Sequence, residues 1–221
     1  MLRHFFAAPD FLALLRFWNH HRSGPAGPAI WGGDVAAVPG DLRPNLIVAD
    51  WVDEPRYRYV GSECMARFGV DTTGQSIVAA LGGAYAAYIR SLGDEVIARR
   101  EPIFSASVFE VGDELILTGR LFTPFSDGTS DKPTIIMSVQ LFGGAEFKLN
   151  VVGRFGFVNE SQRLLIAGVP EVCRRLEEAR RLHHLARAVP SRAQAREWAA
   201  IARDLSQSAL VALQPYRDAI G

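Results

Sequence analysis

The sequence predicts an α+β fold, in which helices and antiparallel strands occupy separate stretches of the chain. Three observations support this prediction. An amphipathic helical pattern opens the chain, broken helical segments fill the stretch 62–100, and three β-rich segments follow one another from 103 to 142. A parallel βαβ fold would instead alternate strands and helices along the sequence.

The opening helix is predicted from a single apolar stripe. Its members stand at positions i, i+3, i+4 and i+7, which share one face of an α-helix: Phe11, Leu14, Leu15 and Trp18. Asp10 is placed to cap the N-terminus of this helix. The Gly- and Pro-containing stretch 23–28 is expected to end it.

Two short strands are predicted next, over 46–51 and 56–60. Between them the turn-forming residues 53–55 separate the strands. The second strand has the alternating sequence Arg56-Tyr57-Arg58-Tyr59-Val60. Its aromatic side chains are therefore expected on one face and its arginines on the other.

The stretch 62–100 is predicted to form three helices. The first covers 62–68 and is stopped by Gly69, and the second covers 77–81 before a pair of glycines. A turn, Asp71-Thr72-Thr73-Gly74, lies between them. The third helix ends near Arg100, and its apolar stripe consists of Tyr85, Tyr88, Ile89, Leu92 and Val96.

Three strands are predicted after this helix, over 103–111, 115–125 and 134–142. Gly112-Asp113 is a tight-turn signal between the first two, and a longer exposed loop over 126–133 joins the last two. The third strand carries apolar residues on both faces, so both faces of the sheet need cover. We expect the helix over 9–21 to pack across part of one face.

The remainder of the chain is predicted to be mostly helical. Residues 147–158 can add strands, and helices are expected over 170–187 and 191–213. The first of these helices has an apolar seam that includes His183. Since a narrow seam must be buried, the two helices are expected to pair as an antiparallel hairpin across Pro190.

Composition indicates an ordinary globular protein. The 221 residues include 24 Lys or Arg and 24 Asp or Glu, so the net charge is zero and generic binding to polyanions or anionic membranes is disfavoured. Two unpatterned cysteines exclude a disulfide scaffold and favour a reducing compartment. The longest uncharged stretch, 72–89, is too mixed for a membrane span, so a cytoplasmic protein without a membrane partner is expected.

A combination of motifs points to a known family. The most specific part is the strand-Gly-Ser segment 56–62, followed nine residues later by the Asp-x-Thr-Gly turn 71–74. Four earlier residues also match: Trp18, Arg22, Pro28 and Asp34. With these features the segment from Phe11 to Phe142 resembles the stand-alone bacterial PAS domains that carry an extra N-terminal helix.

The resemblance implies a five-stranded antiparallel sheet that cups short helices, with a small-molecule pocket between sheet and helices. The chain is therefore expected to consist of an N-terminal helix and loop over 1–43, a PAS-like sensor domain over 44–144 and, outside the resemblance, the mostly helical extension over 145–221. PAS domains sense ligands, redox state or light, or pair with other proteins. The predicted function is therefore a non-enzymatic sensor or adaptor in signal transduction, which binds a small organic ligand or a protein partner.

Six residues are candidates for the pocket that the resemblance implies. Arg58 or Arg120 is a possible polar anchor for a ligand, and the candidate apolar walls are Tyr59, Met65, Phe68 and Tyr88. No motif residue is implied to be catalytic. The turn 71–74 is expected to be structural, because Asp71 can bond neighbouring amides and Gly74 can adopt a positive φ.

The cofactor, if any, is unknown, and haem and covalent flavin are disfavoured. Haem-binding PAS domains use a histidine on the long helix, and residues 84–100 contain none. Photosensory flavin domains need a cysteine in an Asn-Cys-Arg-Phe motif, which the surroundings of Cys64 do not match, so Cys64 is expected to be buried. The histidine pairs 20–21 and 183–184 point about 100° apart on a helix and do not favour a metal site.

Two other function classes stay open. A small enzyme of the isomerase or dehydratase kind, built on an α+β cup, would need an acid or a histidine inside the cup. A DNA-binding regulator would use the Arg-rich C-terminal helices. Nucleic acid is nevertheless disfavoured, because acid–base pairs such as Glu171 with Arg175 are typical of a solvated helix face.

Self-association is predicted from the helices. The C-terminal hairpin leaves Leu182, Leu185 and the stripe over 11–18 to dock on the sheet or on a second copy. PAS domains often pair through such flanking helices, so a homodimer is expected. If His183 is buried at that contact, association should weaken as the pH falls towards roughly 5.

Overall fold

The computed structural model describes residues 8–24, 27–111, 114–142, 155–166, 181–182 and 200–201. The chain divides into two units, Met1–Ala167 and Gly168–Gly221. Described helices of the first unit are α1 Pro9–His20, α2 Ser62–Phe68, α3 Ile77–Leu81 and α4 Gly83–Arg99, with short 3₁₀ turns at Val35–Ala37 and Arg43–Asn45. Its described strands are β1 Leu46–Asp50, β2 Arg56–Val60, β3 Ile103–Val111, β4 Glu114–Phe125, β5 Ile135–Phe142 and β6 Phe155–Leu165.

The six strands form one antiparallel sheet in the order β2-β1-β5-β4-β3-β6. This arrangement confirms the predicted α+β class, and β3, β4 and β5 form the predicted meander. Strand β6 adds one strand to the five that were expected. It pairs with β3 from Ile103↔Leu165 to Val111↔Phe155. It begins in the stretch 147–158, where added strands were expected, and continues beyond that stretch to Leu165.

One face of the sheet, here the outer face, is apolar and is covered by α1. Its buried side chains include Phe104, Leu121, Phe125, Ile135, Met137 and Val139. The rings of Phe11 and Phe104 meet edge to face at 5.8 Å, and Trp18 Nε1 donates to the carbonyl of Pro124 at 2.8 Å. The predicted packing of this helix across the sheet is confirmed, and all four stripe residues are buried.

The predicted capping role of Asp10 is wrong. The N-cap position is Ala8, which makes no side-chain cap, and Pro9 opens the helix. Because proline suits the first helical position, the helix begins one residue before Asp10. Asp10 therefore lies inside the first turn, where it accepts a hydrogen bond from Asn45 Nδ2 at 3.3 Å.

The opposite face, here the inner face, is covered by α2, α3 and α4. Helix α4 buries its whole predicted stripe, and the bounds of α2 and α3 match the prediction. Gly69 ends α2 with a φ of 71°. In the turn that follows, Asp71 Oδ1 accepts from the Thr73 amide at 2.9 Å and Gly74 has a φ of 82°, which confirms the structural role of that turn.

A β-bulge changes the expected pattern in β2. Val48 of β1 pairs with Tyr59, but the next residue, Ala49, pairs with Tyr57, so Arg58 is the extra residue. Tyr57 consequently faces the inner core with Ala49, whereas Tyr59 lies on the other face and donates to the carbonyl of Arg43 at 3.2 Å. The prediction that both tyrosines share a face is wrong, because the bulge reverses the alternation.

Several predictions fall on residues that are not described. The helices over 170–187 and 191–213, with His183, lie outside the described residues apart from 181–182 and 200–201. The proposed hairpin and the DNA-binding alternative therefore stay predictions, as does the partition at residues 43 and 144. In the part of the chain that is described, no helix combines the length and apolar character needed to cross a bilayer.

Candidate functional site

A cavity lies between the inner face of the sheet and the helices that cover it. The cavity volume is about 30 Å³, counted as the space that the centre of a water molecule can occupy. This is enough for roughly two water molecules. Most of the described lining is apolar or aromatic: Ile47, Ala49, Trp51, Phe68, Ile77, Ile89, Phe122 and Ile136. The polar part of the lining consists of Tyr57, Tyr85, Arg120, Ser138 and Gln140.

Arg120 is the central polar group of this cavity. It lies on β4, and only 2% of its surface is exposed. Its Nη2 donates to the hydroxyl of Tyr85. The amide of Gln140 satisfies its neighbours when its oxygen faces the guanidinium, and that oxygen then accepts from Arg120 Nε at 3.1 Å and also from Nη2.

Register explains how Arg120 and Gln140 meet. The two residues stand directly opposite each other on β4 and β5, and Ser105 of β3 is the other cross-strand neighbour of Arg120. Facing residues on antiparallel strands have Cβ atoms about 5 Å apart, so their polar groups are within reach. Further along the same face, the hydroxyls of Ser107 and Thr118 lie 2.8 Å apart.

Aromatic rings surround the Arg120 guanidinium. Its central carbon lies 4.9 Å from the ring centroid of Tyr85, 5.6 Å from that of Phe109 and 5.8 Å from that of Tyr88. A cation within about 6 Å of an aromatic face is stabilised by the electron-rich face of the ring. The rings therefore compensate part of the cost of burying this charge.

Acidic groups that interact with Arg120 are neutral at physiological pH. Burial raises the pKa of Tyr85 to about 12, although Arg120 acts in the opposite direction. Burial likewise raises the pKa of Tyr57. The pKa of the Cys64 thiol is raised to about 12, again mainly by burial, and the predicted burial of Cys64 is confirmed.

A chain of polar contacts connects the inner face to the edge strand β6. The hydroxyls of Tyr88 and Ser105 lie 2.8 Å apart, and Ser105 Oγ donates to Glu160 Oε1 at 2.5 Å. Glu160 is paired with Arg163, whose Nη1 also donates to Glu95 of α4 at 2.8 Å. The edge strand and α4 are therefore joined through ionic contacts next to the cavity.

Trp51 separates the cavity from a surface cleft. Its indole lines both, and its Nε1 donates to Asp94 Oδ1 on α4 at 2.8 Å. The ring lies directly on Gly93, where an added Cβ would stand 2.0 Å from Cζ2 of the indole. The cleft on the other side of Trp51 is wider, and its charged lining consists of Asp53, Arg90, Asp94, Arg100 and Lys132.

The structure brings two of the six candidate site residues to the cavity, Phe68 and Arg120. Met65 packs against the same core beside it, and Tyr88 lies behind Arg120 on the inner face. Tyr59 is on the other face, and Arg58 is at the surface, where its Nε donates to Asp50 Oδ2 at 3.2 Å. Whether any of the six contacts a ligand stays a prediction.

Sequence reasoning did not select Tyr57, Tyr85, Ser138 and Gln140 as cavity residues. The signal for two of them was present in β5, where Ser138 and Gln140 alternate with apolar residues in a strand covered on both sides. Polar residues at every second position of such a strand mark a polar strip on one face. Among the described residues, no cluster of three His, Cys, Asp or Glu side chains is placed to hold a metal.

Comparison with known proteins gives fold-level likenesses. No family model and no curated protein matches this chain. The PAS domain of BvgS from Bordetella pertussis is 22% identical, with a TM-score of 0.39 over 47% of this chain and 79% of that one. The LOV protein of Rhodobacter sphaeroides is 12% identical, with a TM-score of 0.36 over 93% of this chain and 97% of that one. The RsLOV d2 variant is 14% identical, with a TM-score of 0.35 over 78% and 88% of the two chains.

Proposed function

We propose that this protein is a PAS-type sensor that acts by binding a small organic ligand in the cavity between the inner face and helices α2–α4. The observation that carries the proposal is a cavity placed beside a buried cluster of Tyr85, Arg120 and Gln140. Ligand sites in proteins are mostly apolar pockets with a few convergent polar groups, and this cavity has that composition.

A binding role fits the lining better than catalysis does. An isomerase or dehydratase needs a group that exchanges a proton near neutral pH. The described lining holds no carboxylate and no imidazole, and burial keeps the pKa values of both its tyrosines well above neutral. Its polar groups can orient and hold a ligand without serving as a general base.

Signal transmission requires that ligand binding alters a surface. The polar chain from Tyr88 through Ser105 to Glu160 gives such a connection, because it begins at the rings around Arg120 and ends on β6. We propose that a protein partner, or the second subunit of a homodimer, responds at that surface. Cytoplasmic localisation is part of the same proposal.

Native mass spectrometry of the freshly purified full-length protein tests the ligand. We expect a bound species that disappears under denaturing conditions. Ala49→Leu fills part of the cavity and should abolish it, whereas Ala87→Leu, on the exposed side of α4, should not. Wild-type protein that carries no small molecule and binds none in a metabolite screen would contradict the proposal, as would turnover of a substrate by the purified chain.

A further inference from the structure

Arg120, the buried cation at the cavity, has no counter-ion among the described residues that line it. The side chain of Arg120 is a guanidinium, which carries five N–H donors and no acceptor. The described residues that line the cavity contain no carboxylate, and Arg120 takes part in none of the ion pairs found in the described part of the chain. Its Nη1 is buried and has no hydrogen-bond partner among those residues.

The neighbouring groups stabilise this charge only in part. Gln140 and Tyr85 accept hydrogen bonds from Nε and Nη2, and aromatic faces lie within 6 Å of the guanidinium. These are neutral partners, whereas a charge-assisted bond to an anion is roughly twice as strong as a neutral one. A buried charge without an opposite charge is rare in proteins because its desolvation is costly.

Ionisation of the protein's own acids does not neutralise Arg120. Among the described residues, Arg120 lowers the pKa values of Tyr57, Cys64 and Tyr85, from β2, α2 and α4, but burial raises each of them by more. All three are buried, and burial keeps each of them protonated at neutral pH. The carboxylate of Glu160, which Ser105 connects to this face, is paired with Arg163. A ligand in the cavity can therefore supply the negative charge that the described lining does not.

We propose, building on the function proposed above, that the ligand of this cavity is a short-chain monocarboxylate whose carboxylate pairs with Arg120. One guanidinium matches one carboxylate, and the described lining has no second cation that a dicarboxylate would require. Nη1 supplies the donor that is still available, and Tyr57 and Ser138 line the same cavity.

The size and polarity of the cavity restrict the ligand further within the class of monocarboxylates. A volume of about 30 Å³ accepts a ligand of only a few heavy atoms unless side chains move. The rest of the lining is apolar, with Ile47, Ile77 and Ile136 among its members, so the tail of the ligand is a short hydrocarbon. Formate comes closest to this size, acetate and propionate require side chains to move, and benzoate exceeds it most.

Isothermal titration calorimetry on the full-length protein in chloride-free buffer tests the proposal. The probes are formate, acetate, propionate and benzoate, each compared with the corresponding neutral amide, and sodium chloride. We expect the best short carboxylate to bind at least about tenfold more tightly than its amide, and more tightly than benzoate or chloride.

Two variants assign the effect to Arg120. Arg120→Gln should remove the preference for carboxylate over amide. Gln140→Glu places a carboxylate where the amide oxygen already accepts from Arg120, so it should lower affinity for added carboxylates by about tenfold or more while the protein stays folded. Gln75→Glu makes the same charge change at an exposed position and should leave binding unchanged. If Arg120→Gln does not fold, the two glutamate variants still decide the question.

The outcomes separate this inference from the function on which it rests. Binding of an amide or another neutral molecule that survives Arg120→Gln would overturn the carboxylate and leave the sensor proposal standing. Equal binding of chloride and acetate would also overturn it. If neither the probes nor any co-purified molecule binds, both proposals fail.

Discussion

Replacing Gly93 by alanine tests the packing of Trp51 against helix α4. Helix propensity alone predicts stabilisation, because alanine is favoured over glycine by about 1 kcal/mol inside a helix. The structure predicts the opposite sign. An added Cβ would lie 2.0 Å from Cζ2 and 2.3 Å from Cη2 of the Trp51 indole, far inside van der Waals contact.

The magnitude follows from three contributions. Overpacking of a rigid core costs typically about 1–3 kcal/mol, and the indole must shift to relieve the contact. That shift breaks the hydrogen bond from Trp51 Nε1 to Asp94, which is worth about 1 kcal/mol. The gain in helix propensity, about 1 kcal/mol, offsets one of these terms. Gly93→Ala should therefore lower the free energy of unfolding by about 1–3 kcal/mol.

Urea denaturation of the full-length chain, followed by circular dichroism, measures this change. The matched control repeats the substitution in a Trp51→Leu background, where the smaller side chain leaves room for the new methyl group. In that background Gly93→Ala should stabilise by up to about 1 kcal/mol, so the two substitutions should be coupled. Stabilisation by Gly93→Ala in the wild-type background would refute the reasoning.

Three further predictions concern other parts of the molecule. Gly61→Ala should lower stability to urea by about 1–3 kcal/mol, because its Cβ would lie 2.2 Å from the carbonyl oxygen of Arg43, while Gly32→Ala, in open space, should not. Above pH 10 the free energy of unfolding should fall by up to about 1.4 kcal/mol per pH unit for each buried tyrosine. The reason is that the unfolded chain releases a phenol proton that folded Tyr85, with a pKa of about 12, retains. Tyr85→Phe should reduce this slope in denaturation measured from pH 9 to 12. Sedimentation of the full chain should show a dimer, and a chain that ends at Val169 should dissociate more readily if the C-terminal helices contribute.

Elements with a strong periodic signal were predictable from sequence. Helix α4 buries the stripe that begins at Tyr85, and the bounds of β2 and β3 match the prediction. Both signals arise because burial on one face imposes a period on the apolar residues. The Gly-Ser junction after β2 is also explained, because Gly61 lies against the backbone of Arg43 and Pro44, where no side chain fits.

Features that depend on a single residue were not predictable in the same way. The bulge at Arg58 inserts one residue without changing the hydrophobic pattern, so Tyr59 was assigned to the wrong face. Pro9 and Asp10 both suit a helix start, and the preference of proline for the first helical position placed Asp10 inside the first turn instead of at the cap. The cavity was predictable in part, since Arg120 was a candidate site residue. The partner of Arg120, Gln140, comes from another strand, so their pairing could be predicted only from the register of the sheet.

The contrast between the two faces of the sheet supports the proposed ligand site more directly than any motif does. The outer face buries apolar side chains such as Phe104, Leu121 and Met137, each of which stabilises the fold by about 1.5–3 kcal/mol. At alternating positions of the same strands, the inner face buries Ser105, Arg120, Ser138 and Gln140. A hydrogen bond between neutral groups contributes a net of about 0.5–1.5 kcal/mol, and the desolvation of the polar groups offsets part of this gain. Since apolar residues would fill the inner face as readily as the outer one, stability alone does not account for this polar strip. The ligand binding proposed above would account for it, because a ligand needs polar partners only where it is held.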